Sequence, residues 1–115
     1  MTRNHYYLSI ADLSKARGPD PALAWDGSSP DALATILQQA LRTDQLFARW
    51  RQAQADPDAV DQGLALTDPS AEVSARIRDL HTDVEVVTDL PMSVLRQRLN
   101  LLIGSTWQLR DMRAA

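Results

Sequence analysis

Apolar and polar residues alternate with two different periods along this chain, and the switches between periods divide it into elements. In His5–Ile10 (HYYLSI) every second residue is apolar: Tyr6, Leu8 and Ile10 share one side, Tyr7 and Ser9 the other. Successive side chains point to opposite faces only in extended chain, so this spacing predicts a half-buried strand. Residues 16–29 carry Gly18, Pro19, Pro21, Gly27 and two serines and read as a loop. Leu23–Trp25 within it is either a brief strand or an anchor tucked onto the core.

From Pro30 the spacing becomes helical. Ser29 suits the N-cap, Pro30 the first helical position, and Asp31 the positive end of the helix dipole. Leu33, Ile36, Leu37, Ala40, Leu41, Phe47 and Trp50 fall on one stripe, with Thr35, Gln38, Gln39, Arg42, Gln45, Arg49 and Gln52 opposite. A long helix over about residues 30–54 is expected; unbroken it would measure about 36 Å at about 1.5 Å per residue. Asp44 falls on the apolar stripe, so a kink at Thr43-Asp44 belongs to the same expectation.

Two Asp-Pro pairs follow, at Asp56-Pro57 and Asp68-Pro69, and both read as helix entries. At the first, Asp56 or Asp58 would cap a short helix ending at Gly63. The second would cap a helix through Val73 and Ile77 to Leu80, with Glu72 in its first turn. Asp83–Thr88 (DVEVVT) reads as a strand with Val84 and Val86 inward and Glu85 outward. Pro91 then starts a helix with Met92, Val94, Leu95, Leu99, Leu102 and Ile103 on its apolar side. Arg96, Gln97 and Asn100 lie outside, and Gly104 ends it. Residues 105–113 admit two readings. As a strand they put Trp107 and Leu109 on one face; as a helix, Ser105 and Gln108 form a capping box, but fewer than three turns remain. The strand is preferred.

The fold class expected is α+β, in a single domain over 1–115. Three to four short strands form one sheet, packed against the long helix and a C-terminal β-α-β unit over about 82–112. Its crossover should be right-handed if its strands are parallel.

Composition narrows the functions open to such a domain. The chain has 115 residues, 44% of them apolar, enough for an ordinary core. Cysteine is absent, which excludes disulfides, thiolate metal sites and cysteine nucleophiles. The N-terminal stretch has too short an apolar run for a signal peptide, and no segment reaches the roughly 18 apolar residues of a membrane span. A cytoplasmic protein without membrane association is expected. Eleven of the twelve basic residues are arginine, consistent with a GC-rich genome.

The net charge of −3 hides a division. Residues 1–54 carry six basic and five acidic side chains, residues 55–89 two and nine, and residues 90–115 four and one. An acidic middle repels a phosphate backbone, so nucleic acid is disfavoured as a partner. A strand of 81–113 laid into a DNA groove would present Asp83, Glu85 and Asp89 to phosphate-lined walls, which argues against that use.

Candidate chemistry is sparse. Asp56, Asp58 and Asp61 fail the spacing of a calcium loop at three places and are better explained as helix caps. His5 and His81 are the only histidines, and no nucleophile elbow, phosphate-binding glycine loop or HExxH stands near either. No catalytic, cofactor-binding or metal residue is assigned and no cofactor is expected. Three tryptophans and several arginines remain, residue types favoured at the centres of protein interfaces. Trp25, Arg42, Arg49, Trp50, Arg96, Trp107 and Arg110 are the candidate partner-binding residues. The contact surface is expected at Trp25, at the arginine-rich side of the long helix, or at an open sheet edge. The leading reading is a non-enzymatic interaction module or accessory, chaperone-like subunit that binds another protein or itself, as in a homodimer. A nucleic-acid regulator using Arg96, Arg98, Arg110 and Arg113 is the alternative. A small hydrolase-type enzyme working through His81 or His5 with a nearby carboxylate ranks third.

Overall fold

The computed structural model describes residues 3–115. In chain order it contains β1 (Asn4–Ile10), α1 (Pro30–Arg42), α2 (Gln45–Gln52), β2 (Glu72–Arg78), β3 (His81–Thr88), α3 (Met92–Ile103) and β4 (Trp107–Ala114). The four strands form one sheet in the order β2-β3-β1-β4, every neighbouring pair antiparallel. Tyr6, Leu8 and Ile10 of β1 and Val84 and Val86 of β3 are buried on one face. They join Leu33, Leu37 and Leu41 of α1 and Leu95, Leu99 and Leu102 of α3 in a single cluster. The α+β class is as the periodicity predicts, including the inward valines of β3 and the strand at 107–114.

The C-terminal β-α-β unit is present in split form. β3 and β4 both run opposite to β1 and hence parallel to each other, but β1 lies between them. No local spacing announces that insertion, because it is a pairing between residues about 80–100 positions apart in the chain.

The long helix is two helices. Ser29 Oγ accepts from Ala32 N–H at 3.1 Å and Pro30 opens α1, as the capping residues predict. Thr43 is extended, with φ −129° and ψ 164°, and its hydroxyl donates to the Gln39 carbonyl. The chain therefore leaves the helix at the point where Asp44 would have put a carboxylate on the apolar stripe.

The helix expected over 68–80 does not form; those residues make β2. The run Glu72–Arg78 alternates with period two, Val73, Ala75 and Ile77 against Ser74, Arg76 and Arg78, and pairs along its length with β3. Asp68-Pro69 serves a turn instead, with Asp68 Oδ1 accepting from Ser70 N–H at 3.0 Å. The hairpin closes through Asp79 and Leu80, Asp79 taking a left-handed φ of 57° that Asp tolerates better than most residues. The earlier Asp-Pro pair opens only a 3-10 turn, Pro57–Ala59, followed by a second at Gln62–Ala65.

Two glycines fasten the first loop to the end of α3. Gly18 and Trp25 N–H groups both donate to the Leu102 carbonyl, at 3.1 and 3.2 Å, satisfying an acceptor the helix end leaves over. A Cβ on Gly18 would fall on the Leu101 carbonyl oxygen. Gly104 leaves α3 at φ 71°, with the Arg17 carbonyl oxygen 2.8 Å from where its Cβ would stand.

Candidate functional site

The residues singled out from sequence are scattered by the fold, and most have structural work. Trp25 is 2% exposed, its indole N–H donating to the Ala16 carbonyl at 2.5 Å and Arg17 stacked over its ring at 4.7 Å. It is a core anchor of the first loop, which corrects the expectation that it presents a surface. Arg42 Nε donates to the Ala71 carbonyl at 2.7 Å, tying α1 to the start of β2. Arg49 donates to the Ala22 carbonyl, and Trp50 packs against Phe47 with centroids 5.6 Å apart. Trp107 is half-buried, its N–H on Asn100 Oδ1 at 3.0 Å. Arg96 is exposed on α3, and Arg110 Nε donates to Ser9 Oγ at 2.9 Å on the outer sheet face. These residues do not converge on one patch.

Arg98 is fully buried. Its guanidinium donates to the carbonyls of Ala40, Leu64 and Leu66 at 3.1, 2.8 and 3.2 Å and to Gln97 Oε1. Burial lowers its pKa from the ordinary arginine value, with the Asp44 charge opposing; the group stays protonated. A guanidinium so committed is withdrawn from any phosphate. Arg113 is held by Asp111 at 2.8 Å and lies over Tyr7. The four arginines expected to form a basic face therefore do not form one.

Each histidine has a carboxylate. His81 Nε2 stands 2.8 Å from Asp83 Oδ1 and borders an open concavity of about 370 Å³ that also includes Asp12 and Ser14. The Ser14 hydroxyl donates a hydrogen bond to Asp12 Oδ1 at 2.6 Å, and the rim residues Ile77 and Leu80 are 66% and 94% exposed. The concavity is open to solvent, which screens the His81–Asp83 pair. His5 Nε2 is 2.9 Å from Glu85 Oε1, and its ring stacks on Tyr7 at 4.3 Å, all on the outer sheet face. Among the described residues no cluster of three or more His, Asp or Glu side chains is placed to hold a metal ion. No helix among them is long and apolar enough to cross a membrane.

The feature that stands apart is an edge. β2, at one margin of the sheet, is covered at its start by α1, where Gln38 Oε1 accepts from Val73 N–H at 3.0 Å. β4, at the other margin, runs eight residues with no strand on its outer side among the described residues. On its helix-side face Leu109 and Met112 are 44% and 52% exposed. Trp107 and Arg110 of this segment are among the residues expected to bind a partner; Leu109 and Met112 are not. Their apolar character is plain in the sequence, but nothing local marks a strand as the outermost one.

Compared with known proteins, the chain matches no protein-family model, and no curated protein or solved structure matches it at a significant level. The class that fold and surface define is a small α+β domain with one four-stranded antiparallel sheet, three α-helices and, among the described residues, an edge strand with no strand on its outer side.

Proposed function

We propose that this chain is a non-enzymatic interaction domain that engages another polypeptide along β4. The supporting observation is the uncovered eight-residue edge carrying Leu109 and Met112. A strand at a sheet margin holds a row of backbone donors and acceptors ready to pair with a further strand. Natural sheets blunt such an edge with inward-pointing charges, a proline, a bulge or a covering loop. β4 carries a bulge at Arg110 and charges on its outer face, but its helix-side positions are apolar and the segment contains no proline. The dispersal of the arginines removes the support that a nucleic-acid role had, and the open surroundings of His81 give catalysis little to work with.

The test compares the wild-type chain with Leu109→Lys/Met112→Lys. Both go through light scattering and through quantitative affinity capture from native lysate. Assembly or capture that depends on these two side chains supports the reading. A wild-type chain that is monomeric and captures nothing the variant loses would end it.

A further inference from the structure

Resting on the reading of β4 as the contact edge, we infer that its partner is β4 of a second copy. The two strands would pair antiparallel about a two-fold axis between Arg110 and Asp111, joining two sheets into one of eight strands.

The argument begins with a bulge. In the β1–β4 ladder Leu8 pairs with Leu109 and Tyr7 with Asp111, so Arg110 is an extra residue with no partner of its own. The helix-side face of β4 therefore holds Trp107, Leu109, Met112 and Ala114, opposite Ile10, Leu8, Tyr6 and Asn4. The outer face holds Gln108, Asp111 and Arg113, and Arg110 joins them, since its Nε reaches Ser9 Oγ there. Read from either end, the order of faces is the same: in, out, in, out, out, in, out, in. An unbroken strand of eight residues cannot have this symmetry, because strict alternation makes its two ends face opposite ways.

A two-fold axis at the centre of that pattern sets residues of like face opposite each other throughout. Leu109 meets Met112 of the second copy, twice, placing four half-exposed apolar side chains in two cross-strand pairs. Arg110 meets Asp111 of the second copy, also twice. Gln108 meets Arg113. Directly opposed apolar pairs and opposite charges are the units that stabilise antiparallel pairing, and like charges oppose it. Centring the axis on Arg110 would set Arg110 against itself, and centring it on Asp111 would set Asp111 against itself. Of these three neighbouring registers, charge favours the one that the pattern of faces selects. An interface that is the same patch on both partners must be self-complementary in this way. In the single chain Asp111 accepts from Arg113 Nε and from Met112 N–H, each at 2.8 Å, so pairing must share or exchange those contacts. A small interface of this kind gives a concentration-dependent dimer.

Charge exchange tests the register. By sedimentation equilibrium the wild-type chain should form dimers. Arg110→Asp alone and Asp111→Arg alone should each weaken dimerisation about tenfold or more, because each sets like charges opposite twice. Mixed in equal amounts, the two variants should recover an affinity within about threefold of wild type, since each Asp then faces an Arg. The double exchange Arg110→Asp/Asp111→Arg should recover likewise, and it stands in should either single variant fold poorly. A monomeric wild type, single variants that dimerise as wild type does, or no recovery in both the mixture and the double exchange would overturn the inference. Should the wild type be monomeric yet capture a partner that Leu109→Lys/Met112→Lys loses, the self-pairing falls and the interaction reading survives. If it captures nothing β4-dependent, both fall.

Discussion

The guanidinium of Arg98 lies 5.6 Å from the ring centroid of Phe47, where α3, α2 and the turn at 62–65 meet. The pair closes the bottom of the core, and the charge-assisted bonds to Ala40, Leu64 and Leu66 hold the irregular 55–71 segment against the helices. Arg98→Met keeps the apolar stem and removes the donors, leaving three carbonyls to find water or go unpaired. At about 1–3 kcal/mol for each buried group left unsatisfied, with water rescuing the more open ones, the expected loss is about 2–5 kcal/mol. Urea denaturation measures it. Arg98→Lys keeps the charge without the planar fork and should recover less than half of the loss. A midpoint unchanged in Arg98→Met would show that the segment is held by something else.

Asp68 ties the turn before β2 to the start of β1 and the end of β3, which lie side by side. Its buried carboxylate accepts from the Thr88 hydroxyl at 2.8 Å, from Ser70 N–H at 3.0 Å and from Arg3 at 3.1 Å. Burial pushes its pKa up, but the hydrogen bonds from Thr88, Ser70 and Asp89 and the charge of Arg3 outweigh burial and hold it below the usual carboxylate value. A depressed native pKa means that the unfolded chain binds the proton first. The stabilisation is complete above the ordinary Asp value of about 3.9 and is lost as pH falls through the lower native value. Asp68→Asn should cost about 1–3 kcal/mol at neutral pH. It should also make stability less sensitive to pH below about 4. Thermal melts of both chains across that range measure the difference; parallel curves would contradict the assignment.

The seat of the first loop on α3 depends on two missing side chains. Gly18→Ala would drive a methyl into backbone, which has no rotamer to yield, and should cost about 1–3 kcal/mol. Gly104→Ala forces a left-handed φ on an L-residue, at about 1–2 kcal/mol, and also crowds the Arg17 carbonyl. Both should lower the melting temperature. Because Trp25 is anchored by the same loop, both should also increase quenching of tryptophan fluorescence by acrylamide. Melting curves that overlay the wild type would disprove the close approach.

With Arg98 buried and Arg113 paired, random duplex or single-stranded nucleic acid should not bind measurably even at about 50 mM salt, where phosphate contacts are strongest. Gel shift or fluorescence anisotropy is sufficient. A salt-sensitive complex would restore a reading that the arrangement of arginines argues against.

How far the sequence carried depended on the range of the interaction. β1, α1, β3 and α3 were legible from spacing and capping, because burial of Tyr6, Leu8 and Ile10 or of Leu95 and Leu99 imposes its period on neighbouring residues. β2 departs from its expected helix because Val73 and Ile77 also stand four apart, and the strand pairing that decides between the two periods comes from β3. Arg98 is a candidate phosphate contact by its charge, a local property, whereas its burial depends on carbonyls more than 30 positions away. The candidate edge was the least visible feature: that β4 is outermost follows only from the insertion of β1 beside it.

That insertion has a consequence for how the chain comes together. β1 is made first, yet both of its neighbours, β3 and β4, are the last strands to be synthesised. A nascent chain therefore holds Tyr6, Leu8 and Ile10 without any ladder until β3 has emerged, and without the second until residues past 107 follow; the central strand is filled by contacts of high sequence separation, which slow folding. Loss of the first ten residues would leave the β2–β3 hairpin and β4 without the strand that joins them. The N-terminal segment is the keystone of the sheet, and a strand supplied in trans by a peptide of its sequence would have a slot to enter.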